Sequence, residues 1–426
     1  MNGARFLGAL LALVACDGCT REPIEVRLRV SQIEAPAAAG SGEPNLAVAP
    51  DGRVLLSWIE PAGENQHILR YAARPKGGEW SKPETIASGS GWFVNWADFP
   101  SLAALPDGTL FAHWLAKSGA GTYAYDVRVT SSRDGGKTWS EPVTPHRDGT
   151  QTEHGFVSMI PSGDGVQMVW LDGRKFAVKK PAAAKPAASQ GHDGHDGEMT
   201  VRGARVGRDG RITEEAEIDA RVCDCCNTAA VAIPGGALLA YRDRSDKEVR
   251  DISVARFQAG RWGAPAALHA DGWKTPACPV NGPALDADGA KVVAAWFALV
   301  DDSARVQVAF SNAAGARFGS PIPLESNDPL GRMDVAMLAD GSAIVLWLDA
   351  FGKDALVKAQ HVFPDGRAEP AVTVGRTSAA RASGFPRIVR GRDRVLFAWT
   401  EPGPPSRIRM ALARTPGDRG LAGERD

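Results

Sequence analysis

Three cysteines crowd into R-V-C-D-C-C-N, as Cys223, Cys225 and Cys226, and a fourth, Cys278, stands in P-A-C-P-V-N-G-P. Thiols so placed have two chemistries open to them. In an oxidising compartment Cys278 would pair with Cys223 or Cys226 and staple two parts of the chain. A Cys225–Cys226 bond between neighbours would be strained. As thiolates, with imidazole beside them, the same residues would hold a soft or borderline ion such as copper or zinc. The spacing is not the two CxxC pairs of a standard zinc site. Compartment alone argues for disulfides.

A second set of residues has the chemistry to hold an anionic or sugar ligand. Asp172 and Arg174 lie in LDGRK, Arg242, Asp243, Arg244 and Asp246 in YRDRSDKEVRD, and Trp273 in HADGWKTPAC. Guanidinium groups bind carboxylates through paired donors, and an indole offers an apolar face. The same charges would also serve as a solvated salt-bridge network holding loops together. His192 and His195, in HDGHD, lie inside a Pro-, Ala- and Lys-rich stretch that reads as a solvated linker.

A repeat places these residues together. Trp58, Trp114, Trp170, Tyr241, Trp296, Trp347 and Trp399 each close an apolar run, at spacings of 56, 56, 71, 55, 51 and 52 residues. Before each run comes a small-residue segment and a Gly turn, as in NLAVAPDG from Asn45. After it come a third strand and a short fourth one, often opened by an aromatic, as in WSKPETI from Trp80. Four strands at a period near fifty mark one blade of a β-propeller. The last repeat has three strands. Glu25 to Ile33, with Val26, Leu28 and Val30 alternating with polar residues, supplies the missing one. The expectation is an all-β, seven-bladed propeller of four-stranded antiparallel blades, closed by an N-terminal strand. It spans 24–415, with a flexible insertion at about 175–198 and a disordered tail at 416–426.

In that architecture the loops entering the first strands share one mouth of the channel with the loops leaving the second strands. Aligning Gly165, Gly236 and Gly289 puts His154, Cys225 and Cys278 at one station in adjacent repeats. Repeats three to five should therefore carry the functional surface, with His154 beside the thiols.

One turn is written in full. Residues 132–139 read S-R-D-G-G-K-T-W, with Ser132, Asp134, Gly136, Thr138 and Trp139 at the defining places of the Asp-box. The chain therefore resembles the sialidase-like Asp-box propeller superfamily. The resemblance implies the fold, and it implies that this turn is structural, on the face away from an active site. It does not extend to the catalytic set that the resemblance implies for sialidases. The first repeat reads EPNLAVAPDG, without an Arg-Ile-Pro, and none of the four tyrosines sits in a nucleophile context. A sialidase has six blades. Two function classes follow: a module binding a glycan, another anionic ligand or an envelope protein, and, as the alternative, a divergent exo-glycosidase or a metal-dependent protein using the His/Cys cluster. The binding module leads, because no nucleophile or carboxylate pair stands out.

Arg5 precedes an apolar run from Phe6 to Ala15, and Leu13-Val14-Ala15-Cys16 forms a lipobox. Residues 1–15 read as a lipoprotein signal peptide, Cys16 as the acylated residue and 16–23 as a tether. This places the protein in a bacterial cell envelope, lipid-anchored to the membrane on the periplasmic or outer face. With 49 basic and 50 acidic residues and no basic stripe, the chain offers nothing to nucleic acid. Cys16→Ala should abolish lipidation. A variant that still partitions into the detergent phase like wild type would refute the anchor.

Overall fold

A computed structural model describes residues 28–177, 197–392 and 394–414. The signal segment, Cys16, the tether, the tail from 416 and most of the 175–198 insertion, His192 and His195 included, lie outside the described residues.

The described strands form seven antiparallel sheets, six built from consecutive strands and the seventh completed by the N-terminal strand. Blade 1 runs Gly42–Val48, Val54–Pro61, Gln66–Arg74 and Glu84–Ser90. Blade 2 runs Ser101–Ala104, Leu110–Lys117 and Tyr125–Ser132. Its expected fourth strand after Trp139 is reduced to a single bridge between Val143 and Val129. Blade 3 runs His154–Ser162, Gly165–Asp172, Thr200–Gly207 and Ile212–Asp219. Blade 4 runs Ala229–Ile233, Gly236–Arg242, Ile252–Gln258 and Arg261–Trp262. Blade 5 runs Ala284–Asp288, Lys291–Val300, Ser303–Ser311 and Ile322–Pro323. Blade 6 runs Pro329–Met337, Ala343–Phe351, Asp354–Val362 and Val372–Ser378. Blade 7 runs Arg387–Arg390, Arg394–Glu401 and Arg407–Arg414, and Val30–Ile33 is its fourth strand. The closing pair is in register from Val30 opposite Ala413 to Ile33 opposite Met410.

All seven repeat aromatics are buried. They fill the wedges between neighbouring sheets, where most of the apolar core lies. Trp296 packs with residues of blades 4 and 5, and Trp58 with residues of blades 7 and 1. A buried indole N–H usually finds an acceptor, and three of the repeat tryptophans have an acidic one. Trp58 donates to Glu60 at 2.8 Å, Trp170 to Asp172 at 2.8 Å and Trp296 to Asp271 at 2.7 Å. The acidic residue two places after the aromatic is thus a partner of the core in blades 1 and 3.

The Asp-box turn forms as its residues dictate. Asp134 accepts from the Thr138 backbone at 2.9 Å and from its hydroxyl at 2.6 Å, and Ser132 accepts from the Gly136 N–H at 2.8 Å. Gly136 has φ +92°, a conformation glycine adopts without strain. The turn follows a third strand, so it lies at the opposite end of the blade from the entry loops.

Closure rests on a short segment. Leu28 is buried in the core that joins blades 6 and 7. Leu28→Ala should cost about 3 kcal/mol, and deleting residues 24–33 should destabilise the whole ring. An unchanged thermal unfolding curve for the truncated protein would exclude closure by this strand.

Candidate functional site at the channel mouth

The first strands are entered through loops with strained backbone. Glu43, Phe156, Val280 and Arg332 have φ between 49° and 53°, each at the entry to a different blade. Non-glycine residues adopt this region at a cost, and such positions gather where function constrains the chain. Phe156 is held there by Asp98, whose Oδ1 accepts its N–H at 2.8 Å.

Asp98 belongs to a buried group that the sequence reading missed. The Tyr125 hydroxyl lies 3.1 Å from Asp98 Oδ2 and 2.9 Å from Glu153 Oε1. A phenol has one proton, so it can donate to only one of them. The second contact is a hydrogen bond only if a carboxyl group carries a proton. The electrostatics agree. Burial pushes Asp98 up to about 7 and Glu153 up to about 8, the latter with help from the charges of Asp98 and Asp224. Gly155 permits this packing, because a side chain there would collide with Asp98 and Tyr125.

Asp98 also lines a polar cavity on the propeller axis. Its volume is about 950 Å³ with the open funnel included. Asn45, Ser158, Asn227 and Asp334 add polar groups, and Phe99, Phe156 and Phe385 add apolar faces. Trp96 stacks on Phe385 at 6.0 Å and carries the Arg332 guanidinium at 4.7 Å. With Ser101 from blade 2, Ala229 from blade 4 and Ala284 from blade 5, the lining draws on all seven blades. The site is wider than repeats three to five.

His154 is not beside the thiols, as the alignment of repeats suggested. Its ring stacks on His146 at 3.8 Å, nearly parallel, and its Nε2 lies 3.2 Å from Asp148 and 3.8 Å from Asp172. Burial alone would lower the pKa of His154, but the Asp148 hydrogen bond and the charges of Asp172, Asp148 and Asp126 outweigh it and raise it. Arg174 closes the group with 2.7 Å contacts to both Asp172 oxygens. Equivalent chain positions share a station in the ring, but the side chain there follows its own neighbours.

The other residues singled out for ligand binding have internal partners. Arg242 is buried and donates to the carbonyls of Asn281, Arg250 and Phe297, with the Trp273 ring 4.7 Å away. Trp273 is itself buried. Asp243 accepts from Ser253 and from the Arg244 backbone, Arg244 pairs with Glu248, and Asp246 pairs with Arg221. These charges hold the loop together, which was the alternative reading of them.

The cysteines do meet. Cys223, Cys225 and Cys226 are buried, and Cys278 packs against them. No pair among the four is at disulfide distance. The Sγ atom of Cys223 lies 3.9 Å from that of Cys225 and 3.5 Å from that of Cys226, against about 2.05 Å for an S–S bond. Arg250 donates to Cys223 Sγ at 3.1 Å. Hydrogen bonds from the neighbouring thiols, helped by this guanidinium, hold Cys223 well below the ordinary thiol range, and burial pushes Cys225 and Cys226 well above it.

No protein-family model matches the chain, and no curated protein does. Among solved structures, it is similar to the polysaccharide lyase Uly1, with 10% identity over 93% of this chain and 94% of that one and a TM-score of 0.48. It is also similar to the K499G mutant of NanB sialidase from Streptococcus pneumoniae, with 8% identity over 90% and 94% and a TM-score of 0.45. A third is a polysaccharide lyase of family PL25, an ulvan lyase, with 12% identity over 79% and 81% and a TM-score of 0.45. Likeness this distant carries nothing beyond the propeller, which the strand pairing itself establishes.

The Glu153 proton has a measurable consequence. Its folded pKa is raised to about 8 from an ordinary value of 4.5. The stabilising contribution is therefore full below pH 4.5 and is lost as pH rises through 8. Wild-type stability should fall across this window, and Glu153→Gln should flatten the slope. Equal slopes in chemical denaturation of the two proteins would refute the assignment.

Proposed function

We propose that this protein is a lipid-anchored cell-envelope propeller that binds a glycan or related polyhydroxylated anionic ligand in its axial cavity. The single observation behind this reading is the make-up of that cavity. It combines carboxyl, amide and hydroxyl groups with three phenylalanine faces on a scaffold of seven inner strands. Sugars present hydroxyl edges and apolar C–H faces, and a site of mixed polar groups and aromatic walls matches both. Arg387, poised over Phe99 at 5.0 Å and paired with Asp334 at 3.2 Å, supplies a cation for an acidic sugar.

The divergent glycosidase is the second reading, and one observation favours it. Asp98 and Glu153 flank a tyrosine hydroxyl and hold protons near neutral pH. A carboxyl group with a raised pKa is the usual general acid for glycosidic bond cleavage.

Titrating the full-length protein with neutral and acidic oligosaccharides, read by ligand-observed NMR and calorimetry, tests both. Acidic glycans should bind, and Asp98→Asn and Arg387→Ala should each weaken binding by about tenfold or more. Release of a free reducing end that Glu153→Gln abolishes would establish the hydrolase. Folded wild-type protein that binds no member of a broad glycan array would overturn the proposal.

A further inference from the structure

Three of the four thiols are spaced as ligands around a shared ion, and the fourth stands beside one of them. Sulfurs about 2.3 Å from a tetrahedral zinc stand about 3.8 Å apart. The Sγ separations from Cys223 are 3.5 and 3.9 Å, and the sulfurs of Cys223, Cys225 and Cys226 all lie within 4.8 Å of one another. Cys278 arrives from the connection into blade 5. Its Sγ lies within 4.8 Å of that of Cys225. We propose that Cys223, Cys225, Cys226 and Cys278 form a four-thiolate site for one divalent cation of the zinc class, joining blades 4 and 5.

The surroundings are those of a thiolate centre. Soft thiolate ligands select ions of this class over magnesium or calcium. Thiolates need donors around them, and the group has donors in place. Arg250 donates to Cys223 and is shared with Glu248 at 2.8 Å. The backbone N–H of Asn281 donates to Cys226 Sγ at 3.3 Å. Arg242 fixes Arg250 by donating to its carbonyl at 2.5 Å. Both arginines are almost wholly buried, and each places a cation near sulfurs that would carry negative charge. Binding releases the thiol protons to solvent, so affinity should fall at low pH.

A disulfide would join the same residues in pairs, and the Sγ separations of 3.9 and 3.5 Å from Cys223 to Cys225 and Cys226 exceed the S–S bond length of about 2.05 Å. A single ion takes all four thiols at once. The His146–His154 group is a separate cluster, and none of the four cysteines lines the axial cavity. The proposed metal site therefore does not rest on the glycan reading.

The test uses reduced, metal-free, full-length protein titrated with Co2+ and then Zn2+ under anaerobic conditions. One equivalent of Co2+ should bind with an intense sulfur-to-metal charge-transfer band, and one equivalent of Zn2+ should displace it. Zn2+ should shield four thiols from alkylation and raise the thermal midpoint. Cys225→Ser and Cys278→Ser should weaken Zn2+ binding at least about tenfold. Arg250→Gln, which removes a positioning donor, should weaken it while leaving the stoichiometry at one. Native mass spectrometry of wild type gives the stoichiometry even where a variant fails to fold. The proposal is overturned if folded, reduced wild type takes up no stoichiometric Co2+, or if the Co2+ spectrum lacks sulfur charge transfer. It is equally overturned if peptide mapping of protein isolated from the envelope finds Cys278 disulfide-bonded to one of the other three.

Discussion

The pairing of Val30–Ile33 with Arg407–Arg414 turns an array of blades into a ring. Without it, blades 7 and 1 would each lose an ordered neighbour, and the wedge filled by Trp58, Leu396 and Met410 would open. Asn45 and Leu46 of blade 1 and Arg387 of blade 7 line that side of the axial cavity. A closed ring also leaves few exposed strand edges. Each local feature of the mouth therefore presupposes a contact between residues nearly four hundred positions apart.

Closure has an electrostatic consequence. Seven inner strands converge, and the groups on their entry loops lose water. The molecule answers this in two ways. Around His154, every carboxylate has a cation or imidazole nearby, and Arg174 ties Asp172 and Asp148 together. Desolvation is offset there by partners, so charge is retained. Around Tyr125, the two carboxyl groups face a phenol and each other with no cation bonded to either, and burial instead drives them toward the neutral form. The two groups sit on adjacent elements: Tyr125 and Asp126 are neighbours in one strand, and Glu153 and His154 are neighbours at the start of the next. Alternation along a strand sends successive side chains to opposite faces, which is how such different environments arise one residue apart.

That alternation also explains what the sequence made legible. The seven blades, the N-terminal closure and the Asp-box turn rest on periodicity and local hydrogen bonding, which a single chain carries on its face. Meeting of the four cysteines was legible too, because two stations in adjacent repeats must be neighbours in a ring. Their bonding was not, since compartment says nothing about Sγ separations. Asp98, Tyr125 and Glu153 left no signal, being spread over 55 positions on three elements with no motif among them. His154 was placed at the right station with the wrong partners, because the station fixes the backbone and not the ring. Arg242 looked like a ligand-binding charge and is a buried strut, because no pattern in YRDRSDKEVRD tells which of its charges will reach backbone carbonyls.

The thiol group and the axial cavity share a backbone. Cys226 is followed by Asn227 and Thr228, both in the cavity wall, and Cys278 leads through Asn281 to Gly282, also in the wall. Asn281 bonds in three directions: its N–H to Cys226 Sγ, its side-chain amide to the Leu330 carbonyl at 3.1 Å, and its side-chain oxygen to the Arg332 N–H at 2.7 Å. Arg332 in turn carries its guanidinium over Trp96. At Gly282 the chain passes so close to Asn227 that no side chain would fit. Whatever fixes the four sulfurs thus fixes two segments of the cavity wall and, through Asn281, the backbone of Arg332. Such a chain of hydrogen bonds couples two sites only if both favour the same arrangement of it, and by linkage the influence must then run equally in both directions.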